Sequence, residues 1–74
     1  MIFGAYREYV QDIKNRYPAG TKVVLDYMDD DWGLPSGLPG VVRYIDDIGT
    51  IHVGWENGSS LGLVPGVDRF HVVD

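Results

Sequence analysis

The sequence predicts a mainly β domain preceded by one amphipathic helix. Two observations carry this. The apolar spacing changes from a helical period to a period of two after Gly20, and the short apolar runs beyond it are separated by strong turn signals.

Phe3, Tyr6, Val10, Ile13 and Tyr17 recur at spacings of three, four, three and four, which places them on one helical stripe. Arg7, Glu8, Gln11, Asp12 and Lys14 fall largely off it. Pro18 disfavours helical backbone at Tyr17, and Ala19-Gly20 follow, so the helix is expected to end between Asn15 and Tyr17. Beyond Gly20, Val23, Leu25 and Tyr27 alternate with Lys22, Val24 and Asp26, a first strand over 21–27. Met28 to Pro39, with its Asp, Gly and Pro residues, reads as a long loop. A second strand spans Val41 to Ile45, and Asp46-Asp47-Ile48-Gly49 forms a turn. Ile51, Val53 and Trp55 mark a third strand. Asn57-Gly58 is expected to be a type I′ hairpin turn. Leu61 and Leu63 mark a fourth strand, Pro65-Gly66-Val67-Asp68 a turn, and Phe70 and Val72 a fifth strand.

Short strands in this order, with a long loop after the first, match a small five-stranded SH3-like barrel with an N-terminal amphipathic α-helix. Residues 1–17 form the helix and 18–74 the barrel, in one folding unit. An OB fold is the alternative, but it usually carries a helix where this chain has only Asn57-Gly58. The expected core is Val23, Leu25, Val42, Ile51, Val53, Trp55, Leu61, Leu63, Phe70 and Val72. The helix stripe is too apolar to face water. The short Pro18-Ala19-Gly20 connection favours folding back onto the barrel over pairing with a second copy, which predicts a monomer or a weak homodimer.

A chain of 74 residues holds one modest core, which leaves little room for a deep catalytic pocket. It has no Cys, hence no disulfide, thiolate zinc site or cysteine nucleophile. No apolar run is long enough to span a membrane, and Met1 to Glu8 lacks the pattern of a signal peptide, so a cytoplasmic setting is expected. Six Lys+Arg against 11 Asp+Glu give a net charge of −5. Residues 1–20 sum to +1 and residues 21–74 to −6. Direct nucleic-acid binding is therefore disfavoured, and a protein partner with a basic surface is the better match.

The run from Asp46 through Trp55-Glu56-Asn57-Gly58 to Leu61, continued by Leu63-Val64-Pro65-Gly66-Val67-Asp68-Arg69-Phe70, resembles a small bacterial and phage family, domain of unknown function 4314. Tyr17-Pro18-Ala19-Gly20-Thr21 and Met28-Asp29-Asp30 extend the resemblance over roughly residues 17–74. It implies an SH3-like barrel and an accessory protein of phages, plasmids or conjugative elements. It implies no catalytic residues.

Asp29-Asp30-Asp31 with Asp26 offers carboxylates to a hard cation but lacks the spacing of an EF-hand loop, and reads as a solvated acidic loop. His52 and His71, with Asp68 or Glu56, read as surface residues rather than metal ligands. Ser59 and Ser60 flank a turn, where hydroxyls bond nearby backbone. The scattered glycines form no phosphate-binding motif. No catalytic, cofactor-binding or metal residue is assigned. Trp55 shares a face with Ile51 and Val53 and belongs to the core, whereas Trp32 stands in the acidic loop without a periodic partner. Exposed aromatics beside charge anchor protein interfaces, so Trp32, Asp29, Asp30, Asp31 and Tyr27 form the candidate protein-binding site, the alternative for Trp32 being a ring folded back to cap the barrel's end. The expected function is a non-enzymatic protein-interaction module of a bacterial mobile element. The alternative is an acidic inhibitor of a host nucleic-acid enzyme, of anti-restriction or anti-CRISPR type, that occupies a basic channel.

Overall fold

The structure, a computed structural model, describes residues 2–28 and 33–73, with side chains from Tyr6 onward. Its elements in chain order are α1 (Ile2–Arg16), β1 (Lys22–Tyr27), β2 (Pro39–Ile45), β3 (Ile51–Trp55), β4 (Gly62–Leu63) and β5 (Arg69–Val73). The strands form one antiparallel sheet in the order β4-β3-β2-β1-β5. This is a meander of hairpins with the last strand returned beside the first, as the SH3-like reading requires. Irregularities at Leu25/Tyr27 and Val42/Tyr44 add a residue to one strand, which increases local bend and twist. Among the described residues no ladder joins β4 to β5, so the sheet is not closed.

Strand alternation places Val23, Leu25, Val42, Ile51, Val53 and Leu63 inward, and each is almost fully buried. Trp55 and Ile45 join them, and Ile13 of α1 completes the cluster. Leu34 and Leu38 pack against it from the connection before β2. Two expected core residues are corrected: Leu61 is 42% exposed and Val72 49%. Leu61 precedes the short β4, and its backbone is committed to Trp55 Nε1–H and Ser59 Oγ. Val72 pairs with Val23 on the sheet's last strand, where no further strand covers it among the described residues. Phe70 is partly buried.

The helix folds back on the sheet. Val10 and Ile13 are buried, and Tyr17 meets Phe70 edge-on with ring centroids 5.1 Å apart. The Tyr6 hydroxyl donates to the Ile48 carbonyl at 2.9 Å, although its ring stays 41% exposed. Tyr9, off the expected stripe, lies beside Gly49, where an added Cβ would stand 3.2 Å from its ring. The side chain of Phe3 lies outside the described ones. Pro18, Gly20 and Thr21 make the connection: Thr21 N–H and Oγ1 both donate to the Pro18 carbonyl, and Gly20 N–H donates to Val42 O.

The Asn57-Gly58 turn differs from the expected type I′ form. No residue other than glycine has positive φ among the described residues, whereas Gly58 sits at +89°. Gly58 N–H donates to Trp55 O, and Trp55 N–H donates to Ser59 O. That pattern is a three-residue loop, a type I turn closed by a left-handed glycine in a G1 bulge. Asp46 to Thr50 repeats it: Gly49 N–H donates to Asp46 O, Asp46 N–H donates to Thr50 O, and Gly49 has φ +87°. A Cβ at Gly58 would meet nothing within 4 Å, so Gly58→Val is expected to cost only its backbone strain, about 1–2 kcal/mol. Urea midpoints measure this cost, and an unchanged midpoint would contradict the turn assignment.

Candidate functional site

Tyr27 ends β1 opposite Arg69 at the start of β5. Between β4 and β5 the chain makes a tight turn. Val67 and Asp68 N–H both donate to Val64 O, while Gly66 at φ +87° reverses the backbone after Pro65. Asp68 is buried, and its carboxylate accepts from Val64 N–H at 2.9 Å, which locks the turn. The result is an open groove of about 560 Å³ walled by Tyr27, Gly66, Val67 and Arg69. Tyr27 is 53% and Val67 50% exposed, so the groove offers one aromatic and one aliphatic side chain to solvent beside Arg69.

Of the candidate binding residues, Tyr27 stands in this groove, while Asp29, Asp30, Asp31 and Trp32 lie outside the described residues. Sequence reasoning missed Val67 and Arg69 as walls; the Pro65-Gly66 turn signal was legible, but not which strand end the turn would face. Asp26, grouped with the acidic loop, instead accepts from His71 Nδ1 at 2.9 Å, and its carbonyl accepts from Ser36 Oγ. His52 pairs with Asp46, not with Asp68 or Glu56. Ser59 Oγ accepts from Leu61 N–H. The Ser, His and Asp residues thus serve separate hydrogen-bond sets. Among the described residues no three His, Cys, Asp or Glu converge as metal ligands, and no helix is long and apolar enough to cross a membrane.

A second cluster sits on the outer face of the β2–β3 hairpin. The Asp46 Oδ1 accepts from Ile48 and Thr50 N–H, and its Oδ2 accepts from His52 Nε2 at 2.8 Å. His52 stacks on Tyr44, its ladder neighbour, with centroids 4.3 Å apart and planes 6° from parallel. The irregularity at Val42/Tyr44 keeps Tyr44 on the outer face. The His52 hydrogen bond, then the backbone donors of Thr50 and Ile48, hold the Asp46 carboxyl below its ordinary value against the opposing effect of partial burial.

A carboxyl whose folded pKa is depressed binds protons more readily when unfolded. Its stabilisation is therefore present above the unfolded value of about 3.9 and lost as pH falls through the folded value. Asp46→Asn is expected to flatten the acid limb of the stability–pH profile below about pH 4. Denaturation midpoints across that range check it, and parallel profiles for both proteins would contradict it.

No curated protein and no solved structure matches the chain significantly. The family model begins at Tyr6, within α1, so the likeness extends beyond the stretch from Tyr17. The match runs to the end of β5: the chain matches the model described as Domain of unknown function (DUF4314) over residues 6–73 and belongs to that family.

Proposed function

We propose that this chain is a non-enzymatic protein-interaction module of a bacterial mobile element, and that its partner docks at the Tyr27 groove. The observation that carries the reading is the exposed pair Tyr27 and Val67 across a groove held by the Asp68-locked turn. An exposed tyrosine with an arginine beside it is the kind of pair that anchors protein interfaces, and Arg69 shares the groove with Tyr27. The acidic run Asp29-Asp30-Asp31 follows Tyr27 closely in sequence and matches a partner with a basic surface. The mobile-element setting rests on the family resemblance.

The excess of −6 over residues 21–74 supports the alternative, an acidic inhibitor of a host nucleic-acid enzyme. Three of those nine acids, however, are engaged internally: Asp26 by His71, Asp46 by His52 and the hairpin backbone, and Asp68 by Val64. That spending of carboxylates favours the interaction module.

Affinity capture from host lysate, read by mass spectrometry, tests the site. The protein retained by the wild-type chain is expected to be lost with Tyr27→Ala, while stability changes by no more than about 0.5 kcal/mol, as for a surface substitution. A capture profile that Tyr27→Ala leaves intact would overturn the groove. Competition of the captured complex by duplex DNA would favour the inhibitor instead.

A further inference from the structure

Arg7, Gln11 and Lys14 follow one another at i, i+4 and i+7, on the flank of α1 beside the buried Val10. Seven residues of helix rise about 10.5 Å, so the two cations stand two turns apart on one wall. Across from them is Asp47 of the β2–β3 turn, and between lies a cleft of about 430 Å³ to which Tyr6 and Val10 also contribute. Among the described residues no carboxylate pairs with Arg7 or Lys14, whereas Arg16 on the same helix is held by Asp12 at 3.0 Å. The walls are fixed relative to one another, because the Tyr6 hydroxyl donates to Ile48 O in the same turn that carries Asp47.

The cleft is two-signed: cations on the helix wall and a carboxylate on the turn wall. A phosphate strand would bring negative charge to both walls and be repelled by Asp47. A protein segment carries both signs and satisfies both walls. We propose that this cleft docks an acidic protein segment, with its carboxylates against Arg7 and Lys14 and a basic residue against Asp47. The surface is carried independently of the Tyr27 groove and selects a partner of opposite chemistry.

The test is a titration of the isotopically labelled full chain, followed by NMR, with an acetylated helical peptide carrying two Glu seven residues apart and one Lys between them. Shift changes are expected to centre on Arg7, Gln11, Lys14 and Asp47. Reversal in the Arg7→Glu/Lys14→Glu variant is expected to weaken binding by about tenfold or more, and the Arg7→Gln/Lys14→Gln variant by less. Lys22→Glu, on β1, is expected to change affinity by less than about threefold. Four outcomes would overturn the proposal. Equal or larger shifts at the same residues with inorganic phosphate or a short oligothymidylate would make this a phosphate site. Peptide binding unaffected by the charge reversals, or absent at about millimolar peptide, would remove the surface. Shifts at these residues that change on dilution without peptide would assign the cleft to a second copy of the chain.

Discussion

Trp55→Ala is expected to lower the stability of this domain by about 3–5 kcal/mol. Trp55 ends β3 at 4% exposure, faces Gly40 across the β2–β3 ladder, and donates from Nε1 to the Leu61 carbonyl at 2.8 Å. Its ring fills space that Gly40 leaves open: a Cβ at Gly40 would stand 2.7 Å from Trp55 Cε3 and 2.5 Å from Val53 Cγ1. Truncation removes the largest core ring and releases the segment between β3 and β4 together. A domain of 74 residues has a total stability of only about 4–11 kcal/mol, so the variant is expected to be largely unfolded at modest denaturant. Equilibrium urea unfolding measures the effect, and a loss below about 1 kcal/mol would contradict the placement of Trp55. Trp55→Phe keeps most of the ring and loses the N–H donor, so it is expected to cost less.

Gly49→Val is expected to cost about 2–4 kcal/mol, clearly more than Gly58→Val. The two glycines close the same kind of loop with nearly the same φ, +87° and +89°. They differ in surroundings: Gly58 has open space, whereas a Cβ at Gly49 meets Tyr9 Cε2 at 3.2 Å and Val10 Cγ2 at 3.8 Å. The strain is common to both substitutions, so the difference between them reports how tightly α1 is seated on the hairpin. In a Tyr9→Ala background much of the excess at Gly49 is expected to vanish, and a double-mutant cycle measures that coupling. Equal costs at the two glycines would mean that α1 does not bear on the hairpin tip.

The fold was legible because helix and strand periods are local. Val10, Ile13, Val23, Leu25, Val42, Ile51, Val53, Trp55 and Leu63 announce their faces by spacing alone, and each is buried. Leu61 and Val72 have the right spacing too, but their exposure is decided by tertiary features, the shortness of β4 and the edge position of β5. Gly40 followed Pro39 at the end of a loop-like stretch, so nothing local revealed that a tryptophan would lie against it. Tyr9 lies off the apolar stripe, so its spacing gave no sign that it would reach Gly49 beside the stripe residue Val10. At the candidate site Tyr27 alternates with Val23 and Leu25 in sequence, and it is exposed beyond the irregularity at Leu25/Tyr27; Val67 and Arg69 became its neighbours only through the return of β5 beside β1. The Asp46–His52–Tyr44 set was hidden because Asp46 reads as an ordinary turn residue, and its second role depends on hairpin register.

The central claim is that α1 and the sheet form one folding unit, with the helix seated on the β2–β3 hairpin. Native-state amide hydrogen exchange on the full chain tests it most directly. The slowest helix amides, around Val10 and Ile13, are expected to share the opening free energy of Val42 and Val53, at any protein concentration. Helix amides that exchange orders of magnitude faster than the strands, or that gain protection only as the protein is concentrated, would contradict it.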